Sequence, residues 1–230
     1  MTKPLSASEA ITFLRCAREW KYKYIDNLQL EDIDAFKFGR AFHETLDKGF
    51  TKENLSEDNL NVIQCMIEEY KHATEFLAPV IEREHRFYFK DEKGNQLATG
   101  VIDAIRQCST TGRWWITEIK TASKIDQFKM DTIENDIQSN FYIINVGMLP
   151  YDHKLFQGIS YEVITKSMKP QVFIKNIPFT PERASTFAIN FGLLYAFMRN
   201  VNSEYKFDLP NVNSCMRYGQ KCPFFNRCYQ

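Results

Sequence analysis

The chain has 230 residues, 44% hydrophobic and 25% charged, the balance of an ordinary globular protein rather than of a fibrous or unfolded one. Lys plus Arg equals Asp plus Glu at 29 each, so no global charge draws it to a polyanion, and any such site must be a local patch. No apolar run reaches the ~18 residues of a membrane span, and the start, MTKPLSASEA, lacks the apolar stretch of a secretory signal, so a cytoplasmic protein without membrane attachment is expected.

Ser6 and Glu9 form a capping box ahead of a helix expected to run to about Ile25. Its inward face carries Ala10, Leu14, Ala17 and Tyr24, with Cys16 among Arg15, Arg18, Lys21 and Lys23. Those cations suit either a solvated face or a phosphate contact. Trp20, Tyr22, Lys23 and Tyr24 have the chemistry to stack on and track a nucleic-acid strand, and core packing explains the aromatics equally well. A polar, acidic loop follows over 26–37. A second helix starts near Phe36 and carries Gly39-Arg40-Ala41-Phe42-His43 on the way to Phe50. A third spans 57–78, with Leu60, Ile63, Ile67, Tyr70 and Leu77 as its apolar stripe and Cys65 beside it.

Strand signals then take over. Val80–Lys90 reads as a strand containing Glu84 and Phe87, and 91–95 as a hairpin turn. Leu97–Gln107 and Arg113–Thr121 are two more strands joined by the turn residues Ser109–Gly112, with Cys108 read as structural. A helix, broken early, covers 125–149. Two strands, 155–166 and 171–178, precede a helix opened by Thr180 as N-cap and Pro181 at its first position. The order α-α-α-β-β-β-α-β-β-α predicts an α/β protein, a sheet covered by helices. It is expected as a single domain over 1–230, with a helical part at 1–78, a core at 79–200 and a cysteine-rich tail at 201–230.

The chemistry concentrates in the central strands. Glu118 and Lys120 are two apart and project from one face, with Asp103 on the neighbouring strand. Two carboxylates and an ammonium on an otherwise apolar hairpin are costly to bury without a partner. Hard oxygen ligands suit Mg²⁺ or Mn²⁺. Such an ion, with a lysine beside it, is the equipment of phosphodiester hydrolysis. A cross-strand ion pair on a solvated face explains the same residues, so the charges alone leave both readings open.

Gly100-Val101-Ile102-Asp103, Glu118-Ile119-Lys120 and Gln138-x-x-x-Tyr142, preceded by Gly39-x-x-x-His43, together resemble the PD-(D/E)XK nuclease superfamily, and most closely its RecB-like and Cas4-like branch. The resemblance implies a restriction-endonuclease-like core with a central mixed sheet flanked by helices. It also implies a deoxyribonuclease, expected as an exonuclease on single strands or DNA ends, in repair, recombination or replication. Position by position, His43, Asp103, Glu118 and the Ile119 carbonyl would hold the metal. Asp103, Glu118 and Lys120 would be catalytic, with Lys120 positioning the attacking water. Gln138 and Tyr142 would hold substrate, and Glu84 would assist from the preceding strand.

Three of the six cysteines, Cys215, Cys222 and Cys228, cluster as C-x6-C-x5-C. In a cytoplasmic protein these are expected as thiols or metal ligands rather than disulfides. The same branch, including its AddB type, places one cysteine before the nuclease core and three after it around a [4Fe–4S] cluster. Cys16 stands in the matching place, and Zn²⁺ on the same four cysteines is the alternative. The chain has no G-x-x-x-x-G-K loop, so a motor would be a separate helicase or recombination protein acting as partner. Two other readings stand beside the nuclease: a catalytically silent DNA-binding or scaffold module keeping the fold and cluster, and an iron–sulfur redox protein.

Overall fold

A computed structural model describes residues 4–28, 34–200, 211–217 and 220–229. Ser6 caps α1 (Ala7–Arg15) by accepting from the Glu9 amide at 3.1 Å. The Glu9 carboxylate accepts from the Trp20 indole at 3.1 Å, and both side chains are buried. The helix expected to reach Ile25 breaks at Cys16, whose backbone is extended (φ −159°, ψ 107°). The chain resumes as α2 (Ala17–Trp20) and a π-helical turn (Lys21–Ile25). Trp20 is therefore core and not a stacking surface, whereas Leu14 points outward at 54% exposure. The acidic connection expected over 26–37 lies partly outside the described residues.

Helices α3 (Asp34–Lys48) and α4 (Glu57–Thr74) lead into the sheet. The five strands are β1 (Val80–Lys90), β2 (Gln96–Gln107), β3 (Trp114–Ala122), β4 (Phe156–Thr165) and β5 (Val172–Pro178). They pair in chain order, antiparallel except for parallel β3–β4, so the sheet is mixed. A parallel pair needs a crossover. Here α5 (Gln127–Thr132) and α6 (Ile137–Ile144) supply it, separated by a 3₁₀ turn at 133–135. Thr180 caps α7 (Pro181–Asn200) by accepting from the Arg183 amide at 3.3 Å. A short hairpin, β6 (Met216–Arg217) with β7 (Gln220–Lys221), and α8 (Phe225–Tyr229) make up the described tail. Among the described residues no helix is long and apolar enough to cross a membrane.

The alternation of strand side chains divides the apolar residues between two cores, one on each side of the sheet. Ile119 and Ile164 pack under Phe42, Ile63, Met66 and Tyr70 of α3 and α4. Ile116, Ile159 and Tyr161 meet Trp20, Phe141, Tyr142 and Phe191. The α3–α4 side also buries a charge. Glu162 of β4 is fully buried and accepts from Tyr70 at 2.5 Å and from Ser160 at 2.8 Å. Arg106 of β2 reaches it at 3.4 Å and donates to the Ala78 carbonyl at 3.0 Å. Burial, reinforced by Glu162, pushes the Tyr70 phenol well above its ordinary range, so it remains a donor. This network ties α4, β2 and β4 together. Removing one partner of a buried pair strands the other, a loss of ~3–5 kcal/mol. Glu162→Ala is accordingly expected to lower the unfolding free energy by that margin, seen as a lower urea midpoint at an unchanged m-value, and equilibrium denaturation measures both.

Candidate active site

The β2–β3 ladder stops early. Its register runs from Gln107↔Trp114 to Ala104↔Thr117. One residue further, Asp103 and Glu118 would face each other. Instead the Asp103 carboxylate accepts the Ile119 amide at 2.7 Å, taking the place of a backbone partner. Beyond this point β3 stays paired to β4 as far as Ala122↔Thr165, and β2 stays paired to β1 as far as Lys90↔Gln96. The sheet thus forks between β2 and β3, and the site lies in the fork.

Each flanking element contributes one group. The β1–β2 register, Arg83↔Ala104 and His85↔Ile102, sets Glu84 opposite Asp103. Glu84 has φ +51°, a left-handed backbone that a non-glycine residue rarely adopts inside a strand. His43, one helical turn after Gly39 on α3, brings Nδ1 to 3.6 Å from Asp103 Oδ1. The Ile119 backbone lies close enough to the imidazole to favour its protonated form slightly. Gly39 faces β3, with the place of its missing side chain in ordinary contact range, 3.8 Å, of Thr121 Oγ1. One ligand atom from each of His43, Glu84 and Asp103 falls within 4.8 Å of the others. Among the described residues no other trio of histidine, cysteine or acidic side chains meets this closely.

Glu118 stands outside that trio. Its carboxylate is fully buried, with the Lys120 ammonium against Oε1 and no well-formed hydrogen bond on either oxygen among the described residues. Lys120 donates to Gln138 Oε1 at 2.8 Å, Gln138 donates to the Tyr142 hydroxyl at 2.7 Å, and Tyr142 donates to the Val101 carbonyl at 2.7 Å. The last bond satisfies a β2 carbonyl beside the fork. Gly100 is required here, because a side chain would lie 2.5 Å from the Phe87 ring and 3.4 Å from that of Tyr142.

Burial raises the Glu118 carboxyl to about 7, against the pull of Lys120 and with a push from Asp103. Burial also raises Asp103 to about 6, against Lys120 and the Ile119 amide. Desolvation alone would lower the Lys120 ammonium, but Glu118 and Asp103 outweigh it and hold it above the ordinary lysine range. Burial lowers His43 against the pull of Glu118 and Glu84, leaving a neutral imidazole at pH 7. A neutral imidazole, three carboxylates on neighbouring strands and a buried Glu118 oxygen, Oε2, short of a donor suit a hard divalent cation. The donor set therefore fits the metal that the sequence anticipated, with Glu84 drawn closer to His43 and Asp103 than Glu118 is.

The family model of the PD-(D/E)XK nuclease superfamily matches residues 4–229, and the chain belongs to that superfamily. Among solved structures, a "Putative exonuclease" from Eubacterium rectale superposes with a TM-score of 0.60 at 12% identity, covering 98% of this chain and 87% of that one. At such identity the likeness shows the fold alone. The structure of SSO0001 aligns with a TM-score of 0.41 at 13% identity over 88% of this chain and 79% of that one, too loosely to carry weight. No curated protein matches the chain.

A carboxyl whose folded pKa lies above its unfolded value stabilises the fold below pH ~4, and this contribution is lost as pH rises through the folded value. Metal-free protein is expected to lose thermal stability as pH rises through about 6 and 7, the values of Asp103 and Glu118. Glu118→Gln should flatten this slope. Mn²⁺ should raise Tm more at pH ~7.5 than at ~5.5, because it competes with protons for the same oxygens. Differential scanning fluorimetry with and without chelator reads all three outcomes.

Proposed function

We propose that the chain is a divalent-cation-dependent deoxyribonuclease of the RecB-like and Cas4-like branch, acting as an exonuclease on single strands or DNA ends. The observation that carries this reading is the fork, where His43, Glu84 and Asp103 converge beside the Lys120–Glu118 pair. His43, Asp103, Glu118 and the Ile119 carbonyl, with Glu84 added, would hold Mg²⁺ or Mn²⁺. The bound ion supplies positive charge that polarises a phosphoryl oxygen and eases the ionisation of water.

The chain's own groups account for the rest. Lys120 stays protonated, so it acts as a donor and not as a base. It orients the attacking water and takes up negative charge as the P–O bond to the leaving sugar breaks. Gln138 and Tyr142 fix the direction of that ammonium through two hydrogen bonds, which makes them positioning residues. Asp103 holds β3 in register while offering its second oxygen to the fork. With Mn²⁺ or Mg²⁺ the protein should degrade end-labelled DNA. Asp103→Asn and Lys120→Ala should each lower the rate by ~10³-fold or more with an unchanged circular dichroism spectrum. Gln138→Ala should cost less, through kcat more than KM. Variants that cut as fast as the parent would remove the active-site assignment, and blocked 5′ and 3′ ends report polarity.

The proposal extends to the cysteines. Cys16, at the α1–α2 break, and Cys215, Cys222 and Cys228 would hold a [4Fe–4S] cluster, with Zn²⁺ the alternative. What supports this is the packing of their two segments. Asn211 and Ser214 donate to the Arg15 carbonyl at 2.7 and 3.1 Å, and Arg18 donates to the Cys228 carbonyl at 3.2 Å. The Tyr22 and Phe224 rings lie 5.1 Å apart, and the Cys222 amide donates to the Cys215 carbonyl at 2.7 Å. None of the four is in a disulfide. A four-thiolate group here would staple the tail to the N-terminal helices. Anaerobically purified protein should be brown, absorbing near ~400 nm as thiolate-bound iron does. Cys222→Ser should remove the colour and lower Tm. A colourless protein with one bound zinc would replace iron with the alternative.

A further inference from the structure

A pocket of about 440 Å³ opens between the start of α3 and the start of α4, lined in part by Lys37, Phe38, Leu55, Asn59, Val62 and Lys166. Its volume is within the range of small-ligand sites. It is not the fork, but it adjoins it. The Lys166 amide donates to the Ala122 carbonyl at 2.8 Å, two residues beyond Lys120 on β3. Lys37 and His43 are six residues apart on α3, a rise of about 9 Å.

Lys166 is the unusual member. It is partly buried, with its ammonium 4.8 Å above the Phe38 ring and 3.4 Å from the Ala35 carbonyl. Among the described residues no carboxylate pairs with it. Burial alone lowers its pKa, which is the mark of a cation lacking a counter-charge. Lys37 adds a second cation, and Asp34, the one acid lining the pocket among the described residues, meets it only at 3.9 Å and is 93% exposed, so it turns to solvent rather than neutralising the pair. The acids of the first turn of α4, Glu57 and Asp58, are exposed and do not line the pocket. The floor is apolar, made of Phe38, Leu55 and Val62, and Asn54, Ser56 and Asn59 add polar groups. Two cations above an apolar floor beside amides match a ligand with one anionic end and one flat apolar part.

We infer that this pocket is a nucleotide subsite, holding a phosphate between Lys166 and Lys37 and the attached sugar and base against Phe38, Leu55 and Val62. That the ligand is a nucleotide rests on the nuclease reading. The unit is either one nucleotide of a strand in the fork or a free mononucleotide, and both present the same chemistry.

Calorimetric titration of metal-free full-length protein tests it, with thymidine 5′-monophosphate and a short oligothymidylate as probes. The parent should bind, and Lys166→Gln should weaken binding about tenfold, the loss expected of one charge-assisted contact. Lys166→Arg should retain most of it. Weakening of the oligonucleotide alone assigns the pocket to a strand, and weakening of both probes assigns it to a free nucleotide as well. No binding by the parent, or equal binding by parent and Lys166→Gln, overturns the subsite. Should Lys166→Gln fail to fold, Lys37→Ala is judged by the same criteria. A parent that binds through Lys166 yet cleaves no DNA would sink the nuclease reading and leave the subsite standing, and the reverse result would do the opposite.

Discussion

One hydrogen bond organises the centre of the molecule: the Asp103 carboxylate taking the Ile119 amide. A backbone N–H in a sheet must find an acceptor. Here a side chain provides it, so β2 no longer needs to, and the two strands part. That substitution is what makes room for His43 from α3 and for the Lys120 ammonium. The parallel β3–β4 pairing continues through the fork, so β3 keeps its position while its other edge is open. A site needs this combination of a rigid backbone and an unpaired edge.

The acids follow from the same geometry. Glu84, Asp103 and Glu118 occupy neighbouring strands at nearly one level, and like charges in a row repel. Lys120 offsets part of that repulsion. The remainder is carried by the packed cores on either side and by the Glu162 network behind the fork, which hold the strands where their charges would push them apart. The left-handed backbone of Glu84 is strain of the kind that concentrates at functional sites, typically ~1–3 kcal/mol. The structure around it, a strand paired on both sides of the residue, over-determines that conformation.

Much of this was legible in residue order. Val80–Lys90 was read with its observed ends, and the hairpin Asp91–Asn95 closes through the expected backbone bond. The α/β sheet followed from the alternation of helix and strand signals. The placing of His43, Asp103, Glu118 and Lys120 near one another was anticipated from four short patterns in order. Glu84 was harder to rank. Its approach to His43 depends on a positive φ and on the register with β2, and neither leaves a signal in composition. The break at Cys16 was also hidden, because Arg15, Ala17 and Arg18 are good helix formers. Tertiary demand from Trp20, which turns back to reach Glu9, overrides that propensity. Trp20 takes the core position, one of the two roles its chemistry allowed.

The meeting of the two chain segments bears on synthesis. The Arg15 carbonyl is satisfied by Asn211 and Ser214, some two hundred residues later in translation. At ~5–20 residues per second, that interval is ~10–40 s. For that time the N-terminal helices wait with an open acceptor and an uncovered Tyr22 ring. The sheet can assemble behind them, but their own resting place is finished last. The segment from Asn211 to Phe224 therefore latches the helices around Arg15 and Tyr22, and a chain cut short before Asn211 would carry the sheet strands with those helices unlatched.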